Sequence, residues 1–131
     1  MKAFLKQVRI SPKKVNLIAE IIRNQKALEG LEVLKYMPKK AAQIIYKVLE
    51  SAVANAENNF GQNKDDLYIS EVLVSGGVTY KRGQSHSKGR VTPLLKRTSN
   101  IKVELEVKGG DKDITKNKEK NVKTKKVSKE S

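Results

Sequence analysis

The 131-residue chain contains no cysteine and a single histidine, His86. Without thiolates there is no disulfide framework, no cysteine-built zinc site and no cysteine nucleophile, and one imidazole supplies neither a metal-ligand pair nor a proton relay. Most enzyme classes lose their usual machinery, and no cofactor or metal is expected. No stretch approaches the roughly 18 apolar residues of a membrane span, and the opening Met1-Lys2-Ala3-Phe4 lacks the apolar core of a secretion signal, so the expected setting is the interior of a cell or organelle. Aromatic residues make up 5%, and Tyr36, Tyr46, Tyr68 and Tyr80 are too dispersed to form a base-stacking platform. Negative charge is also scarce. There are 28 Lys plus Arg against 14 Asp plus Glu, a net +14 with pI near 10.0. So much like charge repels itself unless an anionic partner neutralises it.

The imbalance is concentrated. Residues 1–19 carry Lys2, Lys6, Arg9, Lys13 and Lys14 with no acid, whereas residues 20–71 are close to neutral. Residues 72–103 carry Lys81, Arg82, Lys88, Arg90, Lys96, Arg97 and Lys102 and no carboxylate. Residues 108–131 carry nine Lys and four acids. Only Ile114, Val122 and Val127 are clear hydrophobes in that last stretch, too few to offset chain entropy, so a disordered Lys-rich tail is expected beyond a boundary at Lys108-Gly109-Gly110-Asp111.

Within residues 1–107 the apolar spacing predicts an α+β domain. Phe4, Val8 and Ile10 share strand parity and suggest a strand over 2–10. Ser11-Pro12 reads as N-cap and first helical position, followed by Val15, Ile18, Ile21 and Ile22, a helix over 12–23. Leu28, Leu31, Leu34 and Tyr36 predict a shorter helix interrupted by Gly30. Ala41, Ile44, Ile45, Val48, Leu49, Ala52, Val53 and Ala56 keep a 3.6 period over 39–59, with Asn59-Phe60-Gly61 as the stop. Asp65-Asp66 reads as a turn rather than a metal pair. Residues 67–74 and 101–107 predict two antiparallel strands, with a bulge where parity slips between Ile69 and Val72. The expected order is strand-helix-helix-helix-strand-strand: three helices packed on a small antiparallel three-stranded sheet.

Between the last two strands, residues 81–90 contain no apolar side chain, while Val78, Tyr80, Leu94 and Leu95 give their flanks extended character. A long protruding β-hairpin over about 78–97 is predicted, reaching on the order of 30 Å if each arm runs ten residues. Such an arm has nothing to pack into a core, and long segments of this kind tend to be disordered or functional. His86 has no carboxylate near it in sequence to orient it, so a contact or spacer role is expected. Lys13 and Lys14 occupy the first turn of a predicted helix, where the macrodipole disfavours cations, and Lys39 and Lys40 repeat the arrangement after Pro38. Phosphate at those termini would account for both.

Several blocks together resemble the bacterial-type large-subunit ribosomal protein twenty-two family. They are Arg9-Ile10-Ser11-Pro12-Lys13-Lys14-Val15, Pro38-Lys39-Lys40-Ala41-Ala42, the run Ser51-Ala52-Val53-Ala54-Asn55-Ala56-Glu57-Asn58-Asn59, and Ser87-Lys88-Gly89-Arg90 followed by Leu95-Lys96-Arg97-Thr98-Ser99. The resemblance implies an RNA-binding domain over 1–107 in the large subunit of a cytoplasmic ribosome, or of an organellar one. Its globular part would lie near the peptide exit and its hairpin would line the nascent-peptide tunnel, supporting assembly and translation. The implied partners are large-subunit ribosomal RNA, neighbouring ribosomal proteins and the nascent peptide, with no membrane and no homo-oligomer. The implied RNA contacts are Arg9, Ser11, Lys13 and Lys14; Lys39, Lys40 and Asn55; and Lys81, Arg82, Lys88, Gly89, Arg90, Lys96, Arg97 and Thr98. Gly83, Gln84, Ser85, His86, Ser87, Lys88, Gly89 and Arg90 would form the tip lining the tunnel. The chain departs from the family pattern at Ser85, His86, Pro93 and Asn100. An architectural DNA-binding protein with a basic β-arm is the alternative, although residues 81–90 lack the apolar wedge such arms insert between base pairs.

Overall fold

The most regular apolar repeat becomes the longest helix. In a computed structural model, which describes residues 1–107, Ala41, Ala42, Ile45, Val48, Leu49, Ala52, Val53 and Ala56 form the buried stripe of a helix at Lys40–Phe60. Gly61 ends it in the left-handed region (φ 60°), donating its N–H to Glu57 O at 3.0 Å while Gln62 N–H reaches Ala56 O at 3.2 Å. Glycine takes that conformation without a Cβ clash.

Before this helix come a strand at Lys2–Val8 (β1) and helices at Pro12–Ile22 (α1) and Ala27–Tyr36 (α2), so Lys40–Phe60 is α3. After it, a 3-10 turn at Lys64–Asp66 leads into a strand at Leu67–Gly76 (β2). Strands at Tyr80–Ser85 (β3) and Val91–Lys96 (β4) pair as a hairpin, and Ser99–Val107 (β5) closes the described chain. β5 is the central strand of a three-stranded antiparallel sheet of order β1-β5-β2. Its Ser99, Ile101, Val103 and Leu105 are buried, and the residues between them face outward. The strand-and-helix order and the antiparallel sheet agree with the sequence reading. The Lys-rich tail expected at 108–131 lies outside the described residues.

The predicted slip in β2 is present: the register against β5 shifts between Ile69 and Glu71. Four expectations need correction. The first strand ends at Val8, because Gln7 takes a positive φ of 55° and donates its N–H to Asn100 Oδ1 at 2.9 Å. This break reverses side-chain parity, so Ala3 and Val8 are buried while Phe4 faces out beneath the ammonium groups of Lys2 and Lys102. In α1, Ile21 turns outward with Leu17, and Ala19 takes its place in the stripe with Val15, Ile18 and Ile22. Gly30 does not interrupt α2. It is buried, and a Cβ there would come within 2.9 Å of Ile69 Cδ1 and 3.5 Å of Leu49 Cδ2, so it is a packing glycine. The α3 repeat has its first helical residue at Lys40 with Lys39 as N-cap, and Pro38 lies outside.

The hairpin's paired arms have six residues each, so the paired part spans roughly 20 Å at ~3.3 Å per residue, shorter than ten-residue arms would give. Every residue of β3 and β4 is exposed. The arms are held by their backbone ladder, from Tyr80 opposite Lys96 to Ser85 opposite Val91.

Candidate nucleic-acid interface

Three chain segments converge on one cleft of about 1030 Å³: the turn into α1, the turn into α3 and the base of the hairpin. In the first, Ile10 donates its N–H to Val8 O at 2.8 Å and is itself buried, which turns the chain and leaves Arg9 exposed. Ser11 stands at the N-cap of α1, and its carbonyl accepts from Lys14 N–H at 3.1 Å and Val15 N–H at 3.3 Å. Its hydroxyl makes no capping bond, contrary to the usual use of a serine there. In the second segment, Lys39 caps α3 through its carbonyl alone, accepting from Ala42 N–H at 3.0 Å. Neither helix has an acid in its first turn or a side-chain cap. Neither positive helix end is therefore offset by a side chain, and both add lysines beside it.

The hairpin base is fixed by two bonds across it. Gly77 N–H donates to Thr98 O at 2.9 Å, and the Thr98 hydroxyl donates to Val78 O at 2.6 Å. A Cβ at position 77 would sit 2.5 Å from Thr98 Oγ1, so the approach requires glycine. Thr98 is only 2% exposed, and its hydroxyl is committed to this internal bond.

The cleft thereby collects Arg9, Lys14, Lys39, Lys40, Arg82, Lys96 and Arg97 with no aspartate or glutamate in its lining. The ion pairs formed among the described residues, Lys64–Glu57 and Lys102–Glu104, involve none of these seven cations. Concentrated like charge with no ion pair among the described residues produces a strongly positive surface suited to a polyanion. Ser11 and Thr98 also line the cleft. Sequence-predicted residues up to 89 positions apart, from Arg9 to Thr98, thus meet in one place.

Other predicted residues lie elsewhere. Lys13 is exposed on α1 outside the cleft. Asn55 lines a separate hollow of about 370 Å³ with Lys2, Glu104 and Glu106, where charge is mixed. Lys81, Gly83, Gln84, Ser85, His86, Ser87, Lys88, Gly89 and Arg90 run out along the exposed hairpin. Its tip is closed by His86 N–H donating to Arg90 O at 2.8 Å, with Lys88 and Gly89 both at positive φ.

Sequence reasoning missed the apolar part of the cleft: Leu17 and Ile21 on α1, Met37 after α2, and Tyr80 and Leu95 at the hairpin base. A signal was available. Leu17 and Ile21 are four residues apart and form a second apolar stripe, off the Val15/Ile18/Ala19/Ile22 stripe, on a helix of only 11 residues. No group of three or more residues suited to holding a metal occurs among the described residues, and no described helix is long and apolar enough to cross a membrane.

The family described as ribosomal protein L22p/L17e matches residues 3–106. Large ribosomal subunit protein uL22 of Clostridium beijerinckii is 50% identical over 102 residues, covering 78% of this chain and 92% of the relative. The uL22 of Petrotoga mobilis is 48% identical over 111 residues, 85% of this chain and 74% of the relative. That of Mycoplasmopsis pulmonis is 47% identical over 103 residues, 79% of this chain and 94% of the relative.

Proposed function

The chain belongs to the ribosomal protein L22p/L17e family, and from that premise we propose that it binds large-subunit ribosomal RNA through its cationic cleft and carries its hairpin along the nascent-peptide exit tunnel. It is a structural component of the large ribosomal subunit and not an enzyme. The observation that carries the RNA reading is the convergence, in one cleft, of seven cations that form no ion pair among the described residues, two helix N-termini without a side-chain cap, and no acid in the lining. The acid-free hairpin leaves from the edge of that cleft, so a phosphate backbone engaged there can be followed outward by Lys81, Lys88 and Arg90. Gly83 and Gly89 allow close backbone approach along the way.

In this reading the globular part lies near the peptide exit and touches neighbouring ribosomal proteins, and residues 83–90 form the tunnel-lining tip facing the nascent peptide. Residues 1–107 are the RNA-binding domain. The RNA contacts are Arg9, Ser11, Lys14, Lys39, Lys40, Arg82, Lys96 and Arg97 in the cleft, with Lys13 beside it. Thr98 acts through the hairpin base it braces. Family membership leaves the DNA-binding alternative without support.

The test is the salt dependence of binding to ribosomal RNA. If the seven cleft cations each neutralise one phosphate, log affinity falls against log salt with a slope of about −5 to −6. Lys39→Glu with Arg97→Glu should make the slope shallower by about two and reduce co-sedimentation with large subunits. A wild-type slope near −1 refutes a phosphate-dominated interface. Crosslinking from position 86 or 88 to a stalled nascent chain tests the tunnel assignment, and crosslinks confined to the particle's outer surface refute it.

A further inference from the structure

The cations of the cleft account for a polyanion but not for its apolar floor. Leu17 is 67% exposed and Ile21 46%, on the stripe of α1 that faces the cleft, and Tyr80, 39% exposed, meets the same space from the hairpin base. An A-form duplex offers a protein phosphates, 2′-hydroxyls and a shallow groove of polar base edges, and none of these gains from contact with leucine or isoleucine. An unpaired base offers an apolar face that stacks on an aromatic ring or packs on aliphatic side chains, with a phosphate on either side.

On the RNA-binding reading above, we propose that the cleft seats an unpaired nucleotide of the RNA, extruded from its helix. Its base lies against Leu17, Ile21 and Tyr80, and its flanking phosphates meet Lys14, Lys39 and Arg97. The charge density favours RNA over a peptide from a neighbouring protein. Seven cations and no acid suit a chain with one negative charge per nucleotide, whereas a peptide with an apolar anchor brings carboxylates only here and there. The placement also explains why two large aliphatic side chains stand in water beside a core they do not join: their burial is completed by the partner.

The experiment uses the full chain with two RNA stem-loops, identical except that one carries a single bulged 2-aminopurine. The bulged RNA should bind about tenfold more tightly, in line with the stacking of one base, and its fluorescence should change on binding. Leu17→Ser with Ile21→Ser, and separately Tyr80→Ala, should bring the ratio of bulged to paired affinity toward one. All three positions are exposed, so the fold is retained and circular dichroism can check it. Equal affinity of the wild-type chain for both RNAs overturns the nucleotide seat while leaving the RNA-binding reading intact, as does an equal loss for both RNAs in the variants. Failure to bind either RNA, with an acidic peptide carrying leucines bound instead, overturns both.

Discussion

Thr98→Val tests whether the hairpin's direction is set by one internal bond. The two side chains have the same shape, but the substitution puts a methyl where the hydroxyl donates to Val78 O at 2.6 Å. A carbon cannot approach a carbonyl oxygen closer than ~3.3 Å, so the hairpin base must open by roughly 0.7 Å. The lost bond has a net value of about 1 kcal/mol, rising toward ~3 kcal/mol if the Val78 carbonyl stays shielded from water. For a domain of about 100 residues, each kcal/mol shifts Tm by roughly 4–8 °C. Thermal unfolding should therefore drop by about 4 °C or more. Hydrogen exchange should quicken at the Gly77 amide, which pairs with Thr98 O across the same base. Thr98→Ser keeps the donor and loses one buried methyl, so it should lower Tm while preserving protection at Gly77. A Thr98→Val protein with unchanged Tm and unchanged Gly77 protection would refute the argument, and the hairpin's bearing would then rest on the ladder alone.

Other consequences can be measured independently. Gly30→Ala gains about 1 kcal/mol of helix propensity but drives a Cβ to 2.9 Å from buried Ile69 Cδ1, and overpacking of this kind costs about 1–3 kcal/mol. A lower urea midpoint is expected, and a higher one would mean that Ile69 swings aside. The hydrogen bond from Lys102 holds the Glu104 carboxyl below its ordinary value of 4.5, against a smaller opposing effect of desolvation. A carboxyl depressed in the folded state contributes stability above its unfolded value and loses it as pH falls through the folded one. Glu104→Gln should therefore flatten the stability profile below about pH 4.5 and leave it parallel at neutral pH, as read by denaturation at a series of pH values. A profile of unchanged slope in acid would show that the pair is too exposed to matter.

The parts of this protein legible in its sequence are those governed by local rules. The α3 repeat, the Gly61 stop, the alternation of β5 and the β2 bulge follow from periodicity and backbone stereochemistry, which act over a few residues. The acid-free stretch over 72–103 marked the hairpin as cationic because charge composition needs no coordinates. Where local rules misled, a distant residue had intervened. Phe4 and Val8 lie on opposite faces because Gln7 is held at positive φ by Asn100, 93 positions from it. Gly30 stays inside a helix because Ile69 and Leu49 occupy the space a side chain would fill.

By itself, then, the sequence determined the elements, their order and the sign of the charge they carry. Only the tertiary structure decided which cations share a cleft, because antiparallel closure of β5 on β1 and β2 carries residues 96–98 back to the start of α1. The same closure separates Asn55 from the cleft, buries Thr98 as a brace and leaves Leu17 and Ile21 facing the cations. A stripe of apolar residues states that something will cover it. Whether the cover is the protein's own core or a partner depends on which element the chain folds back alongside, and that is a long-range property.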